Sequence, residues 1–358
     1  MVAHHDLPQE FVCPHCNRTF DNWKSCDAHL HARKHDRESK FCGYKIQSLA
    51  LSHEHDISAP DSFDAKFGYF QMSGRRPYME GMYAATLPRE RELIRLDMYI
   101  VHQQPEYAIY AIVDGHSGLG TASFLRDHLV DITMPYVTKI QESYYRRSTT
   151  PLPDYDIYEQ FLLRDLFKDL HSDYMYQADL ARDFSGSTLT IVFRFPSHLL
   201  VANVGDSTAA LLSTKSEAVD VLSVDHWPNV PFERARIEAS GGFVEFIGVW
   251  RVVGQLAISR SIGDHHLRQY VSLEPSIRHV TLQGDNDYLI VASDGIWETL
   301  NPRDVLNLIS EKQRAVPSIS EMDEYERAIF FHDVAAAIVF EAYVRGSTDN
   351  MAVLLVAL

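Results

Sequence analysis

The chain has 358 residues, of which 46% are hydrophobic and 23% charged. Those are the proportions of a folded protein with a substantial core and exclude a wholly disordered one. At roughly 150 residues per domain, the length predicts about two domains. The 33 basic and 49 acidic side chains leave a net charge of −16, which excludes nucleic acid as a bulk partner of the whole molecule.

Residues 1–40 hold Arg18, Lys24, Arg33, Lys34, Arg37 and Lys40 against Asp6, Glu10, Asp21, Asp27, Asp36 and Glu38. They sum to zero, so the rest of the chain carries the whole imbalance. All of the cysteines, Cys13, Cys16, Cys26 and Cys42, lie in this first stretch. The opening Met1-Val2-Ala3-His4-His5-Asp6 lacks the basic and apolar regions of a signal peptide. No apolar run approaches the roughly 18 to 20 residues that span a bilayer. The expectation is a soluble protein of the cytoplasm or nucleus with no membrane partner, in which cysteines bind metal more readily than they form disulfides.

Cys13-Pro14-His15-Cys16 is followed by His29 and His35, a Cys-x2-Cys-x12-His-x5-His spacing. It resembles a Cys2His2 zinc finger, with Phe20 at the core aromatic position and Cys26 where leucine is usual. Two thiolates and two imidazoles make the closed tetrahedral set of a structural Zn²⁺ site. His31 competes, being four residues from His35 on one helical face. His29 with His35 is preferred because the Cys16 to His29 gap is the usual one. A module this small needs the metal for its folding energy. The five-residue histidine spacing resembles matrin or U1-like fingers, some of which bind double-stranded RNA and others proteins. Zero net charge makes a poor phosphate binder, so a protein partner is expected ahead of RNA. Residues 41–62, with His53, His55 and Pro60, read as a linker.

From residue 63 apolar runs end on aspartate. Tyr107–Val113 leads into Asp114-Gly115-His116, Leu199–Val204 into Gly205-Asp206-Ser207, and Tyr288–Ala292 into Ser293-Asp294-Gly295. Short, nearly continuous apolar runs read as buried strands. Met351–Ala357 has its acidic residue, Asp349, at the other end. If that strand runs antiparallel to the others, Asp349 joins Asp114 and Asp294 on one sheet edge. Taken singly, each aspartate is as well explained by a turn. Leu163, Phe167, Leu170 and Tyr174 mark an amphipathic helix. Asn301-Pro302 reads as an N-cap with proline at N1. Phe331, Val334, Ala335, Ile338 and Ala342 mark another helix, with Gly346 as its stop. The mixture implies a layered α/β body.

The ordered motifs from Phe67 to Leu358 resemble the metal-dependent serine/threonine protein phosphatases of the type 2C family. They are Arg76-Pro77-Tyr78-Met79-Glu80, Asp114-Gly115-His116, Ser185–Thr188, Val204–Ser207, Asp225–Pro228, Glu233–Ile237 with Gly241-Gly242, Leu256–Asp264, Asp294–Trp297 and Ser347–Asn350. The resemblance implies an α-β-β-α sandwich, two mainly antiparallel sheets flanked by helices, over residues 63–358. It also implies two Mg²⁺ or Mn²⁺ ions at one end of the sandwich. Asp114 would bridge them, Asp294 and Asp349 would hold one, and Glu80 and the Gly115 carbonyl the other. All are hard oxygen donors. Asp206 and Glu298 fall where the family places a third, more weakly held metal. Arg76 would grip phosphate oxygens, while the adjacent Arg75 reads as a surface charge. The two ions would activate the attacking water, and His116 would protonate the leaving alkoxide. Asp264 would brace the strand and loop nearby.

Four positions depart from the family pattern: Gly81 for aspartate, Ser117 for glycine, Trp227 for lysine and Glu298 for aspartate. None removes a principal ligand, so an active monomeric enzyme on phosphoprotein substrates is expected. The competing reading is an inactive phosphatase fold that serves as a binding scaffold, its finger carrying the function.

Overall fold

The computed structural model describes residues 11–12, 19–20, 43–44, 67–72, 97–104, 106–147, 155–284, 287–316 and 318–358. The chain divides into two units, Met1–Ala59 and Pro60–Leu358. In the first, β1 (Phe11–Val12), β2 (Thr19–Phe20) and β3 (Gly43–Tyr44) form an antiparallel sheet with β1 in the middle. Phe11 lies opposite Phe20 on one side and Tyr44 on the other. The β1–β2 connection contains Cys13 and Cys16, and β3 falls in the stretch read as linker. The expected zinc ligands Cys13, Cys16, His29 and His35 lie outside the described residues.

The second unit begins with β4 (Phe67–Met72), β5 (Asp97–Gln104) and β6 (Tyr107–His116), then two long helices, α1 (Gly120–Arg147) and α2 (Tyr155–Ala181). Strands β7 (Gly186–Ser187), β8 (Leu189–Arg194), β9 (His198–Val204), β10 (Thr208–Ser213) and β11 (Ala218–Val221) follow. Helix α3 (Pro231–Ala239) leads to the hairpin β12 (Val244–Ile247) and β13 (Val249–Val252). The chain ends through β14 (Ile262–Gly263), β15 (Ser276–Thr281), β16 (Tyr288–Ala292), α4 (Asp294–Trp297), α5 (Pro302–Arg314), α6 (Glu324–Val344) and β17 (Met351–Ala357). No described helix is long and apolar enough to cross a membrane.

One sheet has the order β11-β10-β16-β17-β4; the other runs β14-β7-β6-β8-β9-β15, with β5 also paired to β6. Every strand pair in both is antiparallel. Strand β6 shows why its sequence is apolar at every position. Ile109, Ala111 and Val113 pack with Leu125, Leu129, Val137 and Ile140 of α1 and Leu163, Leu166 and Phe167 of α2. Ala108, Tyr110 and Ile112 face the other way, onto Leu211, Leu289, Val291 and Leu354 of the first sheet. Side chains alternate across a strand, so two covered faces require an unbroken apolar run. The first sheet turns its outer face to α5 and α6, where Ile290, Val353 and Leu355 meet Leu306, Ile309, Val334 and Ile338. The layers are therefore helix, sheet, sheet, helix, as the resemblance implied.

Helix ends follow local chemistry. The Asn301 side chain accepts from the Arg303 and Asp304 amides, and the Asp304 carboxylate accepts from the Asn301 amide. With Pro302 at N1 this closes the start of α5. Gly346, at φ +108, follows α6, a left-handed position that glycine takes without steric cost.

The segment joining β11 to β14 is held by buried polar groups. Glu233 accepts from Arg260 Nε at 2.8 Å, Arg236 Nη2 at 2.9 Å and Ser259 Oγ at 2.8 Å. Burial alone would raise its carboxyl, but the two guanidinium groups hold it down to about 2. The buried His226 shares a hydrogen bond between Nε2 and Ser276 Oγ at 2.8 Å, and burial pushes it down to about 3. His171 of α2 accepts from the Gly263 amide, and burial with the nearby Arg268 charge pushes it down to about 4.

All three groups bind protons more readily when unfolded, so the unfolded state takes up more protons and stability rises with pH. Stability should be full above the ordinary histidine range. It should fall as the histidines charge, and fall further as pH drops from the ordinary glutamate value towards about 2. Urea midpoints measured at about pH 7.5 and about pH 5 test this, the acid one being lower. Equal midpoints would contradict it.

Candidate active site

Acidic residues gather where β16 ends and β17 begins. Asp294 opens α4 at the end of β16, and Glu298 lies one turn on, on the same face. Asp349 precedes β17, whose Val353 lies opposite Ala292 of β16. One ligand atom from each of Asp294, Glu298 and Asp349 lies within 4.8 Å of the others. The junction is fastened by backbone. The Ser293 amide donates to the Ala352 carbonyl at 3.0 Å, the Ala352 amide to Ser293 Oγ at 3.0 Å, and Ser347 Oγ to the Gly295 carbonyl at 2.7 Å. A Cβ on Gly295 would lie 2.0 Å from the Asn350 carbonyl oxygen, so glycine is required there.

Asp114 belongs to the other sheet, on β6. Contrary to the expectation from the sequence, it therefore does not share a sheet with Asp294 and Asp349 but lies on the neighbouring sheet of the sandwich. Hydrogen bonds and register tie the two sheets together there. The Asp114 amide donates to Thr188 Oγ1 at 3.2 Å, and the Thr188 amide donates to the Asp114 carbonyl at 2.9 Å. Thr188 Oγ1 shares a bond with Ser207 Oγ at 2.9 Å, and the next residue, Thr208, lies opposite Ala292. Asp206 is therefore placed between the Asp114 and Asp294 strands.

His116 is set by two short ladders. His116 lies opposite Gly186 of β7, and Gly186 lies opposite Gly263 of β14. Asp264 follows at φ +47, a left-handed conformation that aspartate tolerates better than most residues. His116 Nε2 donates to Asp264 Oδ2 at 2.7 Å, and Ser261 Oγ donates to the same oxygen at 2.5 Å. Asp264 is 1% exposed, and its Oδ1 has no hydrogen-bond partner among the described residues. A Cβ on Gly186 would fall 2.0 Å from Asp264 Oδ2 and 2.3 Å from His116 Nε2. Only glycine lets these side chains meet. Burial lowers the His116 imidazole, but the charge and hydrogen bond of Asp264 more than offset it and hold the ring above its ordinary range. Because Nε2 is engaged, Nδ1 is the nitrogen left to face a substrate.

Asp206 follows Gly205, which is at φ +93. Burial pushes its carboxyl up to about 6, against a hydrogen bond from the Trp227 indole. Trp227 Nε1 donates to Asp206 Oδ2 at 3.2 Å.

Of the residues singled out in the sequence, the structure brings Asp294, Glu298 and Asp349 together. It sets Asp114, Gly115, His116 and Asp206 at the same end. Arg76 and Glu80, like Arg75 and Gly81, lie outside the described residues. Ser117 stands at φ +57, which explains why glycine suits that position. Gly186, Ser261 and His171 were not legible beforehand. Gly186 and Ser261 lie within motifs noted in the sequence, but what they do emerges only from the fold: Gly186 makes room for a pair from distant segments, Ser261 bonds Asp264 three residues on, and His171 reaches Gly263 from α2. The donor set is all carboxylate oxygen, without nitrogen or sulfur. It fits hard divalent ions such as Mg²⁺ or Mn²⁺.

The pattern of the family described as Protein phosphatase 2C matches residues 66–351. Probable protein phosphatase 2C 45 of Oryza sativa subsp. japonica is 30% identical over 285 residues, covering 80% of this chain and 84% of that protein. Probable protein phosphatase 2C 59 of Arabidopsis thaliana is 30% identical over 286 residues, covering 80% and 77%. Against probable protein phosphatase 2C 52 of Oryza sativa subsp. japonica, the identity is 28% over 289 residues. That match covers 81% of this chain and only 50% of the relative, so the chain spans about half of that protein. Among solved structures, a C. elegans sex determining protein superposes with a TM-score of 0.64 at 21% identity, over 81% of this chain and 64% of that one. The serine-threonine phosphatase 2C from Toxoplasma gondii gives 0.62 at 20% identity, over 83% and 96%. These two likenesses are of fold. Taken with the family match, which includes every acidic strand end and every strand before β17 from β4 on, they lead to one conclusion: the chain belongs to the protein phosphatase 2C family of serine/threonine protein phosphatases.

Proposed function

We propose that this chain hydrolyses phosphoserine and phosphothreonine in proteins at the acidic end of its sandwich, with Asp114, the Gly115 carbonyl, Asp294, Asp349 and Glu80 holding two Mg²⁺ or Mn²⁺ ions. Asp206 and Glu298 are the carboxylates for a third. The convergence of Asp294, Glu298 and Asp349 carries the reading. When bound, the divalent ions supply charge neutralisation and Lewis acidity for attack of water on phosphorus. The chain supplies the rest. Arg76 grips phosphate oxygens through its planar fork. His116, anchored through Nε2, presents Nδ1–H to the leaving oxygen. A serine or threonine alkoxide is strongly basic and needs that proton. Asp264 fixes the direction of the ring.

The first unit is proposed as a zinc finger that docks a protein partner and so steers the choice of substrate. The antiparallel pairing of β1 with β2, between which Cys13 and Cys16 fall in the sequence, supports it. Purified full-length chain should carry one Zn²⁺, and Cys13→Ser or Cys16→Ser should release it. Metal analysis that finds no zinc in the wild type would exclude the finger.

Phosphate release from a phosphothreonine peptide should require Mn²⁺ or Mg²⁺ and stop with EDTA. Asp114→Ala or Asp294→Ala should lower it by more than about 100-fold with the circular dichroism spectrum unchanged. Full activity in either folded variant would sink the assignment.

His116→Ala should slow phosphopeptide hydrolysis by about 10² to 10⁴-fold. On p-nitrophenyl phosphate, whose leaving group needs little protonation, the loss should be much smaller. Asp264→Asn should follow the same split with a smaller loss. Equal losses on both substrates would assign His116 another role.

A further inference from the structure

Strand β14 is the last strand of its sheet, and its second residue, Gly263, immediately precedes Asp264. The Asp264 amide donates to the Ser185 carbonyl at 3.0 Å, on the side of β7. Along an antiparallel pair, amides point alternately towards the partner and away from it. The Gly263 N–H therefore turns outward, where no further strand of the sheet lies among the described residues. A side chain takes that place. His171 Nδ1 of α2, 92 residues away in the chain, accepts the Gly263 N–H at 3.2 Å.

Only an unprotonated nitrogen can accept, so the His171 ring carries its proton on Nε2. The side chain is buried, and burial with the Arg268 and His265 charges pushes it down to about 4. Near neutral pH it is a fixed acceptor and does not titrate.

The bond holds a strained piece of backbone. Gly263 at φ +83 and Asp264 at φ +47 are consecutive left-handed residues, and aspartate persists there only where its surroundings hold it. These two residues bring the Asp264 carboxylate to His116 Nε2. Tyr174, three residues beyond His171 on α2, shares a bond between its hydroxyl and Ser185 Oγ at 2.9 Å. Helix α2 thus ties both sides of the pair that carries Asp264, Ser185 through Tyr174 and Gly263 through His171.

We propose that His171 is a positioning residue of the hydrolytic reaction, fixing the Gly263 amide and through it the Asp264 carboxylate that aims His116 at the leaving oxygen. It acts through Gly263 and Asp264 and not on the substrate. The inference rests on the proton-donor reading of His116 above. Without His171, Asp264 keeps its bonds from Ser261 Oγ and to the Ser185 carbonyl. Removing the acceptor therefore loosens the carboxylate and does not release it.

The test measures kcat and KM of the full chain with Mn²⁺, on a phosphothreonine peptide and on p-nitrophenyl phosphate. The chains compared are wild type, His171→Leu, His171→Asn, His116→Ala and the double variant His171→Leu with His116→Ala. In His171→Leu, kcat on the peptide should fall about tenfold with KM within about twofold, and kcat on p-nitrophenyl phosphate should fall less than about twofold. A merely structural loosening would slow both substrates alike. His171→Asn keeps an acceptor oxygen at the δ position and should stay within about threefold of wild type on the peptide. Adding His171→Leu to His116→Ala should cost less than about twofold more, the coupling that a double-mutant cycle reads. His171→Ala, which also lacks the acceptor, serves if the leucine variant misfolds; if neither folds, His171 belongs to the scaffold and the proposal falls. Equal losses on both substrates, an unchanged peptide kcat, or a loss as large in His171→Asn would overturn the role of His171 alone. Equal losses on the two substrates in His116→Ala would overturn the proton-donor reading and this inference together.

Discussion

The packing of one sheet on the other is the constraint from which the rest of the catalytic unit follows. Tyr110, Ile112 and Val192 press on Leu211, Leu289, Val291 and Leu354, all buried. Burying each large apolar side chain is worth roughly 1.5 to 3 kcal/mol. A charge within this layer would be desolvated without a partner, so the interiors of the central strands exclude carboxylates. In the central strands β8, β9, β10, β16 and β17 no Asp, Glu, Lys or Arg stands inside the strand, and in β6 the one carboxylate, Asp114, stands near its end. Asp114 and the Asp294–Asp349 group lie at the same end because the sheets are stacked, not because the residues share a ladder. The same burial that stabilises the sandwich places the acidic cluster.

Glycines then decide how closely the strand ends approach. At Gly186 a side chain would occupy the space in which His116 and Asp264 meet, and at Gly295 it would push α4 off the backbone of Asn350. Gly263 is similarly enclosed, with a Cβ position 2.4 Å from the Ser185 carbonyl oxygen and φ at +83. These three contacts lie at the site, so the close backbone approach that a small, ordered cluster of polar groups needs is built from residues without side chains. Left-handed Ser117 and Asp264 flank the same region. Non-glycine residues in this conformation are held by their surroundings at some cost, and both adjoin the His116–Asp264 pair.

The layers and the acidic strand ends were legible in the sequence because both follow from local patterns. Short apolar runs bounded by turn residues read as strands covered on both faces, as β6, β9 and β16 are. The α2 residues Leu163, Phe167, Leu170 and Tyr174 recur at helical spacing and all enter one core. Asn301-Pro302 carries its capping chemistry in two adjacent letters. What stayed hidden depends on strand pairing across long stretches of chain. The ladder His116–Gly186–Gly263 joins three distant segments, so neither the Asp264 partner of His116 nor the need for glycine at 186 shows in any local motif. The Trp227 contact is a related case. The residue stood out as a departure from the family pattern, but its bond to Asp206 required the β9–β10 turn and the His226 loop to be side by side.

The carboxylates of this unit share one chemistry and are separated by what surrounds each of them. Glu233 is ringed by two guanidinium groups and a hydroxyl, so it stays ionised and serves as a structural tie. Asp264 has one oxygen bound to an imidazole and a hydroxyl, while its other oxygen is sealed from solvent. Its bound oxygen orients His116, which gives this carboxylate a positioning role. Asp294, Glu298 and Asp349 converge on each other, an arrangement that favours a shared positive charge between them. Asp206 lies between these classes, pushed up by burial yet met by a neutral donor. The division into tie, orienting group and cation ligand is therefore set by the neighbours that the sandwich brings to each carboxylate, and the large net negative charge alone could not have assigned it.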